Sequence, residues 1–274
     1  RAPGSAAAYV SYRNSPHRRP APEFLRGAPP QTPVRPPHPA PMRPAAISLD
    51  LGHTLVFEQP SRHAIYAEAA RARGLRVTDE EMRERMREAN QALPERIEGA
   101  YRYSDRWFRR FIERIFHAGL ELPADRLPEL TDELFARFES PSTFRLFPGA
   151  LELLAGVRAA GLPLGLISNW SARLPRLLDN LGLSEHFDFV LCSALEGVEK
   201  PDARLFLRAA ELAGVRPQQL LHAGDRERED GGALDAGCQA VIVEAFGPPG
   251  LRRRPELPRV ADLEQLLSWI RARL

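Results

Sequence analysis

Five short, almost wholly apolar runs, at 45–49, 162–168, 187–193, 219–223 and 239–244, constrain this chain more than any other feature. Each has the length of a strand and lacks alternation of polar and apolar positions, the pattern of a strand buried on both faces. Between them, helical spacing is read at 149–160, 172–181, 203–213 and 230–236. Strands alternating with helices force right-handed crossovers, so the expected fold class is α/β with a doubly wound parallel sheet. Sites in such sheets lie at the carboxyl ends of the strands.

From about 58 to 141 the rhythm stops, and only helical pattern is read. Thr78-Asp79-Glu80-Glu81 has the form of a capping box. Trp107, Phe108, Phe111, Ile112, Ile115 and Phe116 recur at helical spacing, with Arg106, Arg109, Arg110 and Arg114 on the opposite face. An arginine-aromatic stretch can bind nucleic acid. The reading adopted is an apolar face packed inward and a basic face in solvent. The expectation is an all-helical insertion over 58–141, placed over the site, in a core formed by 45–57 and 142–274.

The formal charge of +2 does not point to an anionic partner, because residues 1–44 hold seven Arg and one Glu, leaving −4 for the remainder. The same 44 residues carry twelve of the 26 prolines and few large aliphatics, too little to offset the entropy of ordering, so they are expected to be disordered. Met42 stands just before the first strand, which leaves open that this tail is not native. Arg-rich, acid-poor termini can be targeting segments, but such proline density forbids the amphipathic helix they need. Cys192 and Cys238 lie far apart in no metal or redox spacing, which fits a reducing cytoplasm and buried thiols. No run approaches the ~20 apolar residues of a membrane span.

Four strand ends deliver polar residues in order: Asp50, Ser168-Asn169, Lys200 just beyond the third run, and Asp225 with Asp230. Opposite charges gathered at one sheet edge can hold a cation and a phosphate together. A strand-end Asp alone is also an ordinary turn or capping residue. Of the 38 basic residues only Lys200 is lysine, so a compact ammonium is retained where arginine replaces it elsewhere.

"LDLGHTL", "LISNW", "GVEKPDARLF" and "HAGDRERED" resemble the four motifs of the haloacid dehalogenase-like hydrolase superfamily, over about 45–244. The resemblance implies a three-layer, Rossmann-like α/β core with a helical cap inserted after the first motif. It implies Asp50 as the nucleophile that becomes an aspartyl phosphate or ester. By position Ser168 would hydrogen-bond the transferring group, Lys200 would orient nucleophile and phosphoryl, and Asp230 would support the lysine and the metal's water shell. Asn169 belongs to the same second motif. Mg²⁺ would be held by Asp50, Asp225 and the main-chain carbonyl of Gly52. The implied substrate is a small phosphorylated metabolite, with no nucleic acid and no membrane involved and the oligomeric state open.

Gly52 is a departure, because most phosphatases of this superfamily carry there a second Asp that protonates the leaving alcohol. Such help is worth about 10²–10⁴-fold. His53 has a suitable pKa to replace it, although His also tolerates a strained turn, and the cap could supply an acid. Relatives that cleave carbon–halogen bonds lack the second Asp and need no metal, but Asp225 would then repel a haloacid. Relatives that cleave carbon–phosphorus bonds use a cap lysine, which is absent here. A phosphate-binding pseudoenzyme is the further alternative. Trp170 follows Asn169 at a helix start near the site, where it could contact substrate, but the reading adopted is packing against the sheet edge; Arg252-Arg253-Arg254 is expected to be solvated charge in a loop.

Overall fold

Apolar residues on both sides of each run require cover on both sides, and the computed structural model, which describes residues 42–245 and 254–274, supplies it. The strands are β1 (Ala46–Leu49), β2 (Val56–Glu58), β3 (Arg96–Ile97), β4 (Ala100–Tyr101), β5 (Phe144–Leu146), β6 (Leu164–Ser168), β7 (Phe189–Cys192), β8 (Leu220–Gly224), β9 (Gln239–Val243) and β10 (Arg259–Val260). Six form one parallel sheet in the order β10-β9-β8-β1-β6-β7. The fold is α/β and doubly wound. Alternate residues of one strand serve opposite layers: Ile47 and Leu49 pack with helices Ala150–Ala159, Leu174–Leu181 and Leu263–Arg271, whereas Ala46 packs with Ala203–Leu212 and Gly232–Asp235.

The five expected runs shift by a residue or two at their ends, and β10 is a sixth strand not read from the sequence, being two residues long. The helix expected over 230–236 is shorter, Gly232–Asp235, because the Asp230 carboxylate turns back to accept from the Arg226 N–H instead of entering a helix. The proline-rich tail lies, through residue 41, outside the described residues, as do Arg252 and Arg253. Arg254 is not solvated charge: its guanidinium donates to Gly231 O (2.7 Å), Asp235 (3.0 Å) and Glu256 (3.1 Å).

The insertion is built from helices Arg62–Arg71, Asp79–Ala92, Asp105–Glu113 and Leu127–Glu139 around a separate apolar cluster centred on Trp107, Phe116, Ile112 and Met82. Ser61 and Ser104 cap the first and third, and Thr78 with Glu81 forms a reciprocal capping box on the second. Arg106, Arg109 and Arg110 are paired on the exposed face with Glu98, Asp132 and Glu113.

All-helical is a description the structure corrects, because β3 and β4 make an antiparallel hairpin inside the insertion. Its two-residue turn places Glu98 and Gly99 at φ 48° and 80°, the left-handed pair that a tight hairpin uses. Two-residue strands carry no periodic signal, so the sequence pattern does not reveal them. At the junction β2 and β5 pair antiparallel, tying the exit from the sheet to the return. Among the described residues no helix is long and apolar enough to cross a membrane.

Candidate active site

β1 is flanked by β6 on one side and β8 on the other, so its carboxyl end is the point where the chain's winding reverses. Register aligns Leu49 with Leu166 and Ala223, so that Asp50, Ser168 and Asp225 leave adjacent strands within a residue or two of one level. Asp50 is 7% exposed. Its Oδ1 accepts from Ser168 Oγ (3.0 Å) and from Lys200 Nζ (2.8 Å). Lys200 also reaches Asp230 Oδ1 at 2.5 Å, and both side chains are buried.

Lys200 arrives on a loop, and Asn169 holds it there: Asn169 Nδ2 donates to Lys200 O (3.0 Å) and Lys200 N donates to Asn169 Oδ1 (2.7 Å). The Asn169 amide is therefore engaged with the lysine backbone. Burial alone would make the Lys200 ammonium easier to deprotonate, but Asp230 and Asp50 raise its pKa above the usual lysine range. Burial likewise opposes ionisation of Asp230, yet Lys200 and His222 hold its carboxyl well below the usual range.

Beneath this pair lies a polar chain that the motif reading did not include. His222 Nε2 sits 3.0 Å from Asp230 Oδ1, and Nδ1 sits 3.0 Å from Ser48 Oγ. Burial lowers the His222 pKa, and a neutral ring in this position can donate from Nε2 to Asp230 and accept at Nδ1 from the Ser48 hydroxyl. Ser48 and His222 face one another because β1 and β8 pair them in register. Gly224 is also required: a Cβ there would meet the Asp230 carboxyl head-on. Arg226 N donates to Asp230 Oδ2 at 2.8 Å.

Asp225 behaves differently. Its carboxyl is pushed up to about 8, first by burial and then by the charges of Asp50 and Asp230. Two carboxylates brought together in a poorly solvated place, Asp50 and Asp225, suit a hard cation with oxygen ligands. The turn after Asp50 is closed by Leu51 O, which accepts from Leu55 N (2.8 Å) and Val56 N (3.0 Å), and by Val56 O, which accepts from His53 N (2.7 Å). Gly52 O takes no part in those bonds. Among the described residues no three His, Cys, Asp or Glu side chains form a metal cage. The donor set fits magnesium nevertheless, because that ion keeps several waters and needs only one or two carboxylates.

His53 takes φ 58° in the same turn and lies 3.7 Å from Glu58 Oε2. Burial lowers its pKa. Trp170 packs against the core cluster of the sheet, as expected, and also lies against Gly52, whose built Cβ would stand 3.0 Å from Trp170 Cζ3. The insertion meets the sheet domain through several polar contacts. Arg173 grips Asp105 through Nε (3.0 Å) and Nη2 (2.9 Å), Arg96 donates to Gly197 O (3.0 Å), and Arg102 Nε stands 3.9 Å from Glu199 Oε2. Glu199, next to Lys200, has its carboxyl raised by burial.

Residues 44–237 match the family described as haloacid dehalogenase-like hydrolase. A curated relative, haloacid dehalogenase-like hydrolase domain-containing protein 3 of Bos taurus, is 35% identical over 68% of this chain and 78% of its own length. The phosphoserine phosphatase of Thermus thermophilus is 38% identical over 58% of this chain and 65% of its own length. Among solved structures, a 2-haloacid dehalogenase from Pseudomonas syringae pv. tomato superposes with a TM-score of 0.59 at 26% identity, covering 84% of this chain and 99% of that one.

Proposed function

This chain belongs to the haloacid dehalogenase-like hydrolases, and we propose that it is a Mg²⁺-dependent phosphomonoester hydrolase acting through an aspartyl phosphate on Asp50. The observation that carries the reading is the Asp50–Lys200–Asp230 chain beside a second carboxyl group, Asp225, whose ionisation is opposed first by burial and then by the charges of Asp50 and Asp230. A metal-free haloacid site has no use for a second buried carboxyl, whereas a bound cation would favour the ionised form of Asp225 and be held by it.

In this reading Asp50, Asp225 and the Gly52 carbonyl hold Mg²⁺, which when bound neutralises the phosphoryl charge. Ser168 and Lys200 occupy Oδ1 of Asp50, which leaves Oδ2 to attack phosphorus. The bond from phosphorus to the leaving oxygen breaks as the Asp50 Oδ2–phosphorus bond forms, and Lys200 stabilises the charge on the equatorial oxygens. Water then cleaves the acyl phosphate, returning Asp50 and releasing inorganic phosphate. Residues 58–141 act as a cap whose contacts through Arg173 and Arg96 close the cleft over a small phosphorylated metabolite. The protein works in the cytoplasm, where its two cysteines stay reduced.

The absent acid at Gly52 and the likeness to a 2-haloacid dehalogenase favour metal-independent carbon–halogen cleavage as the second reading. Phosphate release from an aryl phosphate and halide release from a 2-haloacid, each with Mg²⁺ and with chelator, separate the two. Mg²⁺-dependent phosphate release, lost in Asp50→Asn, supports the phosphatase. Halide release in chelator overturns it, and inertness toward both makes the chain a binding module.

A further inference from the structure

The three atoms nearest a Cβ built at Gly52 all belong to one ring, Trp170 Cζ3 at 3.0 Å, Cε3 at 3.8 Å and Cη2 at 3.9 Å. Carbon atoms rest in contact at about 3.5–4.0 Å. Even an alanine at 52 therefore presses on the indole, and the carboxyl group of an aspartate has the ring in its way. The ring is held from several sides. Its backbone is anchored: Trp170 N donates to Ser193 Oγ at 3.1 Å, and Trp170 O accepts from Ser193 Oγ (3.3 Å) and Cys192 Sγ (3.2 Å). The indole packs against Phe144 with centroids 6.0 Å apart, and the Arg62 guanidinium lies over it at 5.6 Å. Arg62 is itself fixed by Glu58 at 3.0 Å. Gly52 and Trp170 are both partly exposed, and the indole lies against Gly52, two residues after the nucleophile Asp50.

We propose, resting on the phosphatase reading, that Trp170 determines specificity. It fills the space of the missing acid and offers a flat apolar wall, so the site takes phosphates whose leaving oxygen is conjugated to a planar π system, aryl or acyl phosphates, in preference to alkyl phosphates. No proton is needed for such a step. As Asp50 bonds to phosphorus, the leaving oxygen keeps the electron pair of the broken bond and departs as phenolate or carboxylate, groups with pKa about 10 and about 4. An alkoxide, close in basicity to the hydroxide of water at about 16, requires the acid that Gly52 and Trp170 exclude.

The test measures kcat/KM with Mg²⁺ on an aryl phosphate, acetyl phosphate and glycerol phosphate for the parent, Gly52→Asp, Trp170→Leu and the double variant. The parent is expected to favour the conjugated leaving groups by about 10²–10⁴-fold, the worth of general acid help. The aryl and acyl arms identify which planar group is preferred. Gly52→Asp alone gains nothing on glycerol phosphate, the double variant gains about 10²-fold or more, and Trp170→Leu raises the aryl KM about 2- to 10-fold. Thermal melts supply a readout without turnover: Gly52→Ala lowers Tm in the parent but not beside Trp170→Leu. Glycerol phosphate turnover within tenfold of the aryl ester in the parent overturns the proposal, as does an equal gain from Gly52→Asp with and without Trp170. Absence of release from every ester in every variant overturns the phosphatase reading and this specificity with it.

Discussion

Replacing Gly224 by alanine perturbs the site without touching a charged group. The added Cβ would fall well inside contact distance of the Asp230 carboxyl, against about 3.5 Å for ordinary carbon contact, so Asp230 must retreat by about 1 Å. That movement costs it Lys200 Nζ at 2.5 Å, His222 Nε2 at 3.0 Å and Arg226 N at 2.8 Å. Breaking a buried ion pair while leaving its partners in place costs about 3–5 kcal/mol. In a domain of this size each kcal/mol is worth about 2–4 °C, so Tm should fall by about 10 °C. Phosphate release should fall with it, because Lys200 loses the acid that positions it. Melting followed by circular dichroism, with Asp230→Asn made alone and together with Gly224→Ala, checks the assignment. If the two losses arise from one interaction, the double variant is scarcely worse than the single ones. A Tm within about 2 °C of the parent, with unchanged turnover, would refute the argument that Gly224 exists to admit the Asp230 carboxylate.

Asp225 leads to a pH prediction for the metal-free protein. Its carboxyl is raised from 3.8 to about 8, so between these values the native state binds a proton that the unfolded state has lost, and stability falls as pH rises across that window. Asp225→Asn should flatten the slope in urea unfolding measured with chelator at several pH values, and an unaltered slope would count against the shift. Burial pushes the thiols of Cys192 and Cys238 up to about 12. A disulfide reagent at pH 8 should therefore find neither thiol in the native protein and both in denaturant, and rapid native labelling would contradict that. Trp107 is fully buried in the insertion, donates from Nε1 to Pro94 O at 2.9 Å and stacks on Phe111 at 5.4 Å. Trp107→Ala should cost about 3–5 kcal/mol by denaturant unfolding, and a loss below about 1 kcal/mol would show that the ring is not part of that core.

The sequence by itself determined the α/β class and the family, because parallel strands covered on both faces leave continuous apolar runs and because polar residues follow those runs at regular places. Asp50, Ser168 and Asp225 are legible for that reason: a strand end in a doubly wound sheet is a position along the chain as well as in space. Elements without a period, β10 and the β3–β4 hairpin, are not legible, since two residues show no alternation. The buried link from Ser48 through His222 to Asp230 was decided by register between β1 and β8, which joins residues 174 apart. The Trp170 ring over Gly52 was likewise decided in three dimensions, where a rotamer and its packing against Phe144 and Arg62 set which atoms face position 52. Local pattern records which residues are buried or end a strand. Contact between distant side chains depends on strand register and rotamer, which arise only when the layers pack.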